Sequence, residues 1–359
     1  MEKIKLDDLC VPSARQIKED PDKLIDYIDI ASVDNENKKV TGFQTMSFGE
    51  APSRARKAVK KGSILVSTVR PNLNAVAILE DDTPNVSVAS TGFCILNCKD
   101  NVDNRFVFNF CKSKAFIEDM VSQATGASYP AVSDNIVRSA LVPNYPYEEQ
   151  CHISEILDRV SSAIEKRKVE LAILDDLIKA RFVEMFGDPV SNPLGWEKKM
   201  LKTVCVKLND GTHFSPESFE EGEYKYVTAK NIKESGFDFT NITYVSEAVH
   251  RPIYERCNPE LGDVLYIKDG VTTGIAMVNT LNEEFTLLSS VALLKQNRKI
   301  MDGYFLAAVL NNENMYSDIR SNMGGAAITR LTIAKLNKIQ IIVPPLKLQQ
   351  QFADFVHQV

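Results

Sequence analysis

The sequence has few of the groups with which enzymes and metalloproteins do chemistry. Its 359 residues include four histidines, His152, His213, His250 and His357, and none of them stands at a recognised zinc spacing from cysteines or carboxylates. Phosphate-binding glycine loops, a serine nucleophile elbow and an Asn-Pro-Pro-aromatic methylation sequence are all missing. We therefore expect no catalytic residue, no metal site and no bound cofactor in this chain.

Long hydrophobic runs are also missing. No apolar stretch approaches the roughly 18 to 20 residues that span a bilayer, and the charged residues 1–5 lack the core of a signal peptide. The seven cysteines are scattered along the chain, which is typical of reduced thiols. The 44% hydrophobic content is ordinary for a globular protein. We expect a soluble, cytoplasmic protein with no membrane contact.

The sequence also lacks an excess of positive charge. The formal net charge of −6 argues against a simple nucleic-acid binder, because phosphate neutralisation usually requires a basic surface. That surface could still be local. One basic stretch contains Arg54, Arg56, Lys57, Lys60, Lys61 and Arg70, whereas acidic residues cluster near residues 217–223.

The most informative feature that is present is a long internal repeat, offset by 199 to 201 residues. Residues 61–66 match 261–266 as a glycine turn leading into an apolar strand, and residues 125–130 match 324–329. Both copies then enter a helix, at residues 146–150 and 345–349. Short strand-like runs alternate with helical stretches such as residues 104–123 and 302–321. The pattern predicts a duplicated α+β domain, with mixed β structure and short helices.

A different pattern separates the two copies. Residues 148–186 contain no glycine or proline, and apolar residues recur every three or four positions before a stop at Gly187 and Pro189. This spacing predicts a coiled-coil-type helix roughly 57 Å long. The alternative is a long helix buried in a single core. The stripe consists of Ile153, Leu157, Val160, Ile164, Leu171, Leu174 and Ile178, followed by Met185.

Polar loops follow corresponding strands in the two copies. Arginine and lysine reach guanine acceptors, asparagine pairs with adenine, and serine or threonine serves either base. These residue types therefore suit base readout, although solvated turns have the same composition. The loops contain Arg70, Asn72 and Asn74 in the first copy, and Lys268, Thr272 and Thr273 in the second.

Residues 173–189 closely resemble the end of the central conserved helix in specificity (S) subunits of bacterial type I restriction-modification enzymes. Residues 192–196 are similar to the opening of that family's second target recognition domain, and residues 210–213 also fit the family. With the duplication, the resemblance covers essentially the whole chain.

The resemblance implies target recognition domains at residues 1–145 and 189–344, with the central conserved helix at 146–188 as a spacer. Each domain would read half of a split sequence in double-stranded DNA. It also implies two kinds of partner: modification subunits that carry S-adenosylmethionine and methylate adenine, and ATP-driven motor-nuclease restriction subunits. The chain itself would be non-catalytic. The residues expected near DNA are Arg70, Asn72, Asn74, Ser128 and Tyr129 in the first domain and His213, Lys268, Thr272, Thr273, Thr329 and Arg330 in the second.

One departure concerns the C-terminus. Family members usually end in a second long helix, whereas residues 345–359 suffice only for its start, so we expect a truncated helix there. The apolar stripe of the central helix would then serve as a subunit interface, either for modification subunits or for a homodimer. The alternatives are an interaction scaffold that binds modification subunits or itself without reading DNA, and the recognition part of a fused restriction-methylation enzyme.

Overall fold

The chain folds into two units, Met1–Arg167 and Lys168–Val359. The computed structural model describes residues 2–12, 16–17, 20–321 and 330–359. The strands of the first unit are β1 Lys3–Lys5, β2 Leu24–Ile28, β3 Val33–Asp34, β4 Lys39–Val40, β5 Gln44–Ser47, β6 Ala55–Ala58, β7 Ile64–Ser67, β8 Val76–Ile78, β9 Val86–Ser90, β10 Phe93–Leu96 and β11 Leu141–Pro143. Its helices are α1 Leu6–Leu9, α2 Asn104–Lys112, α3 Lys114–Gln123, α4 Asp134–Ser139 and the first part of α5 Tyr147–Phe186.

Among the described residues of the first unit, the strands form three sheets, with the orders β10-β7-β8-β4-β3, β5-β2-β9-β6 and β1-β11. The packing on both faces of β7 explains why residues 64–66 are continuously apolar. Ile64 and Val66 pack in the cluster that contains α2 and α3, whereas Leu65 packs on the opposite face with residues of β2 and β9. Because successive side chains of a strand point to opposite faces, a strand covered on both faces must be apolar throughout.

The second unit has the strands β12 Lys198–Met200, β13 Cys205–Asp210, β14 Tyr224–Val227, β15 Ile232–Lys233, β16 Gly236–Phe237, β17 Thr243–Val245, β18 Val264–Ile267, β19 Ala276–Val278, β20 Thr286–Leu287, β21 Val291–Gln296 and β22 Gln340–Ile342. Its helices are α6 Leu201–Val204, α7 Glu247–Arg256, α8 Gly303–Asn311, α9 Glu313–Ser321, α10 Ile333–Leu336 and α11 Leu346–Gln358. The sheet orders are β13-β21-β18-β19, β17-β14-β20, β12-β22 and β15-β16.

The structure confirms the predicted duplication. Strands β7, β8 and β10 pair antiparallel as β18, β19 and β21 do, and β2 runs parallel to β9 as β14 does to β20. A hydrogen bond is repeated as well. The backbone N–H of Asp103 donates to Gln150 Oε1 at 3.1 Å, and that of Asp302 donates to Gln349 Oε1 at 2.9 Å. This bond explains the matching glutamines in the repeat, since each fastens the start of a helix (α2 or α8) to the last helix of its unit (α5 or α11).

Residues 104–123 and 302–321, expected to be helical stretches, are each divided into two helices. The first breaks at Ser113, whose hydroxyl accepts the N–H of Phe116 at 3.2 Å and caps α3. The second breaks at Asn312, whose side-chain oxygen accepts the N–H of Asn314 at 3.1 Å. Serine and asparagine side chains replace the missing carbonyl partners at a helix start, so they favour interruption there.

The predicted central helix is confirmed as α5, which ends where Gly187 adopts a left-handed φ of 72°. Both ends of α5 are anchored. Gln150 and Ser154 are buried in the first unit, whereas Phe182 and Phe186 are buried in the aromatic core of the second. Between residues 155 and 177, every side chain is exposed or half-buried. That exposure excludes the alternative of a helix buried in a single core.

Candidate nucleic-acid interface

Two corresponding hairpin loops have the same backbone form. Residues 68–75 connect β7 to β8, and residues 268–275 connect β18 to β19. Positive φ angles occur at matching positions, 50° at Arg70 and 104° at Gly270, then 46° at Asn74 and 115° at Gly274. The two loops therefore differ mainly in the side chains that they carry.

Buried polar side chains hold these loops in shape. Asn74 is buried and donates from Nδ2 to the backbone oxygen of Cys111 at 2.9 Å. Thr273 is fully buried, and its hydroxyl donates to the oxygen of Gly270 at 2.6 Å. Both residues were predicted to contact DNA. The structure instead gives them the role of fixing the loop, because their side chains are not accessible to a base edge.

The first loop exposes Arg70 and Asn72. The backbone N–H of Arg70 donates to the oxygen of Pro130 at 2.7 Å, which holds the loop beside the predicted segment containing Ser128 and Tyr129. The Arg70 guanidinium carbon lies 4.8 Å from the Tyr129 ring centre. Ser128 and Tyr129 are themselves exposed. Stacking on the ring restricts the arginine while its donors remain available for a guanine edge or a phosphate.

Two lysines lie beside this loop. Lys38 donates from Nζ to the backbone oxygen of Asn74 at 2.6 Å, and Lys112 lies with Nζ 4.4 Å from the Phe108 ring centre. Burial lowers the pKa of both lysines, and the charge of Lys112 lowers the pKa of Lys38 further. An anion placed between the two ammonium groups would relieve their repulsion, which suits a DNA phosphate.

The second loop lies over an ion-pair network centred on two carboxylates. Asp210 has His213 Nε2 at 3.1 Å, Arg256 Nη1 at 3.4 Å and Lys268 Nζ at 3.4 Å from its oxygens. Asp269 has Lys268 Nζ at 2.8 Å and Arg330 Nε at 3.3 Å. The structure thus brings together three predicted residues, at positions 213, 268 and 330, through carboxylates that were not predicted as site residues.

The members of this network differ in how far they are buried. Lys268 is buried between its two carboxylates, so its predicted DNA contact is corrected to a role in holding the loop. The side chains of Arg256 and Arg330 are 42% and 59% exposed, against 6% for Asp210 and 21% for Asp269. The cations therefore reach solvent above the carboxylates. Arg256 was missed because nothing in its sequence surroundings shows that α7 delivers it to this loop.

Three of the six cations in the basic stretch singled out in the sequence form ion pairs within the first unit. Arg54 pairs with Asp29 at 3.0 Å, and Lys61 pairs with Asp81 at 3.1 Å. Lys57 pairs with Asp134 at 2.5 Å. The cations best placed for a nucleic acid are therefore those around the two loops. Thr329, the remaining predicted site residue, lies outside the described residues, as does the whole segment 324–329 to which it belongs.

Each copy of the repeat matches the family model described as the type I restriction modification DNA specificity domain, at residues 1–173 and 193–359. The chain belongs to this family. Its two units are therefore specificity domains, each carrying one of the loops described above. The family's role, DNA specificity, agrees with the sequence prediction of a non-catalytic chain.

Curated relatives of these specificity domains are similar over much of the chain. The MjaIX specificity subunit of Methanocaldococcus jannaschii is 23% identical over 313 residues, which cover 82% of this chain and 70% of that protein. The HindI specificity subunit of Haemophilus influenzae is 28% identical over 156 residues, which cover 42% of this chain and 34% of that protein. Both are named as subunits of type I restriction enzymes.

Solved structures share the fold of the specificity domains. The S subunit of a type I restriction-modification system from M. genitalium has a TM-score of 0.58 and 16% identity, covering 99% of this chain and 88% of that one. A chain from a study of complex assembly and conformational transition in a type I system has a TM-score of 0.54 and 23% identity, covering 99% and 89%.

The predicted interface residues on α5 differ in exposure. Ile153 packs against the core of the first specificity domain and Ile178 against that of the second, and Leu174 is half-buried. The remaining four, Leu157, Val160, Ile164 and Leu171, are exposed. Their exposure leaves an apolar stripe in the middle of the helix.

Neither metal-binding groups nor membrane-spanning helices are found in the described ranges. Among those residues, no three histidine, cysteine, aspartate or glutamate side chains are grouped so that they could hold a metal ion. Within the same part of the chain, no helix combines the length and apolar character needed to cross a membrane. All seven cysteines are free thiols.

Proposed function

We propose that this chain is the specificity subunit of a type I restriction-modification system, in which each domain reads one half of a bipartite DNA target. The observation that carries the proposal is the pair of loops with one backbone form and different exposed side chains. A shared scaffold with different outward groups is what two unequal half-sites require, because bases are distinguished by the groups that meet their edges.

The first loop supplies the residues for one half-site. Arg70, held against Tyr129, presents paired donors that match the O6 and N7 acceptors of guanine. Asn72 is exposed on the same loop and has the donor and acceptor groups that pair with adenine. Lys38 and Lys112 would hold the neighbouring phosphates.

The second loop and its ion-pair network serve the other half-site. Arg256 and Arg330 provide positive charge at the base of the loop, and Thr272 is exposed on the loop itself. His213 is also exposed and reaches the same network. These groups combine phosphate contacts with base contacts, which together fix register and sequence.

The exposed stripe of α5 is the proposed docking surface for modification subunits. Isolated apolar residues are common on protein surfaces, but a stripe along one helix is typical of a helix that acquires a partner. In the assembled complex, S-adenosylmethionine and ATP would be bound by the modification and restriction subunits, and methylation and cleavage would be theirs.

The test is selection of random double-stranded DNA by the chain assembled with its modification subunit, followed by Arg70→Ala. We expect a bipartite target. The variant should relax recognition at one position of one half-site and weaken binding by roughly 1 to 3 kcal/mol, the usual contribution of a bidentate base contact.

The matched control is Arg54→Ala, which removes an exposed arginine of the same domain that pairs with Asp29. It should leave the selected sequence unchanged. Equal losses on target and random DNA for Arg70→Ala would mean a phosphate contact and would contradict base reading. Assembly with modification subunits but no selected sequence would favour the interaction scaffold instead.

A further inference from the structure

Val271 is the most exposed large hydrophobic side chain in the part of the chain that the structure describes. Its exposed fraction is 95%, whereas the next values are 68% for Tyr129 and 65% for Val206. Single exposed apolar residues are ordinary on protein surfaces. The position of this one needs an explanation, because it stands on the loop that carries the candidate interface of the second domain.

The exposure of Val271 is built into a fixed loop. The N–H of Thr273 donates to the oxygen of Gly270 at 3.2 Å, and that of Gly274 donates to the oxygen of Ile267 at 2.8 Å. A Cβ atom on Gly274 would lie 2.2 Å from the ring of Tyr316, so only glycine allows α9 to approach this closely. The loop is therefore pinned on both sides of Val271.

Positive charge surrounds the base of the same loop. The exposed guanidinium groups of Arg256 and Arg330 belong to the network beneath it, and the carboxylates of Asp210 and Asp269 lie deeper. Arginines in this position would contact phosphates and bring the loop against the DNA groove between them. The partner that suits an apolar tip in a cationic setting is duplex DNA.

The first loop carries different chemistry at its outward positions. There the residue matching Val271 is Pro71, which is buried, and the exposed residues are Arg70, Asn72 and Leu73. Leu73 is 48% exposed, against 95% for Val271, so the second loop presents the larger exposed fraction of an apolar side chain. The only apolar group on a base edge in the major groove is the C5-methyl of thymine.

We propose that Val271 reads the methyl group of a thymine in the half-site of the second domain. This inference rests on the proposed function and names the chemistry of one contact in it. Valine has no donor or acceptor, so it contributes to specificity only through the methyl group that it covers. A cytosine that carries a C5-methyl would present the same apolar surface at that position.

The test replaces thymines by deoxyuridine, which lacks only the methyl group, one position at a time in the selected target. For the wild-type chain assembled with its modification subunit, one replacement in the second half-site should weaken binding roughly three- to tenfold, the factor expected for one buried methyl group. Val271→Ala removes the two γ-methyl groups, so it should lose most of this difference between the thymine and deoxyuridine targets.

Val206→Ala is the matched control, since it truncates another exposed valine of the same domain that lies outside the loop, and it should retain the deoxyuridine effect. A second half-site without thymine on either strand, or a deoxyuridine effect that is undiminished in Val271→Ala, overturns the proposal. Binding that depends on a flexible base step but not on any methyl group would also overturn it and would indicate a wedge between bases. If no target is selected at all, the proposed function fails first, so the two failures are distinguishable.

Discussion

Asp210→Ala tests whether the ion-pair network holds the second loop, residues 268–275. Asp210 and Lys268 are both nearly fully buried, and their charged atoms lie 3.4 Å apart. Removing one member of a buried pair costs about 3 to 5 kcal/mol, because the other charge stays buried without its partner. Lys268 keeps Asp269 at 2.8 Å, so the lower figure applies. For a domain of this size, about 3 kcal/mol lowers the melting temperature by roughly 6 to 12 °C.

The measurement is thermal unfolding of the full chain, followed by tryptophan fluorescence. The chain has one tryptophan, Trp196, which packs in the core of the second domain and donates from Nε1 to the oxygen of Phe186 at 3.0 Å. Its fluorescence therefore reports on that domain.

The matched control is Glu197→Ala, which breaks an exposed pair with Lys199 in the same domain and should cost no more than about 1 kcal/mol. Similar melting shifts for the two variants would refute the reasoning. So would a large shift for Asp210→Ala with full retention of binding at the second half-site, since the network would then not shape the loop.

Three further predictions concern α5 and His250. Four residues inserted after Glu170 should lengthen α5 by about 6 Å and widen the gap between selected half-sites without changing them; an unchanged gap would contradict the spacer role. The purified chain should self-associate through α5, so Ile164→Asp combined with Leu171→Asp should lower the mass measured by light scattering, whereas a monomeric wild type would contradict this. Burial holds the pKa of His250 below its usual range, so the unfolded chain binds the proton more readily than the folded chain does. The free energy of unfolding should therefore fall as pH drops below about 6.5. His250→Gln should flatten that pH dependence, as measured by denaturant titrations followed by tryptophan fluorescence.

The large features of this fold were predictable because they repeat or have a period. The duplication was predictable because glycine turns such as Gly62 and Gly262 recur at a constant offset, and both adopt positive φ, 84° and 86°. The long helix was predictable because no glycine or proline interrupts its apolar stripe. Regular local patterns of this kind survive in the sequence even when the domains diverge.

The candidate site was only partly predictable. Sequence reasoning found the loops, since polar residues after corresponding strands are visible, but it could not separate exposed from buried members. Asn72 and Asn74 look equivalent in the sequence, yet one faces solvent and the other bonds to Cys111. Arg256 reaches Asp210 only through tertiary folding, so no local pattern indicates it.

The matched loops also bear on how such a protein acquires a new target. Because the backbone of each loop is set by its pinned ends and buried threonine or asparagine, the outward residues contribute little to folding stability. Under the proposed function, changes at positions such as Asn72 or Val271 would alter the DNA sequence read while leaving the core unchanged. One or two substitutions on a loop of fixed backbone would then suffice for a new specificity.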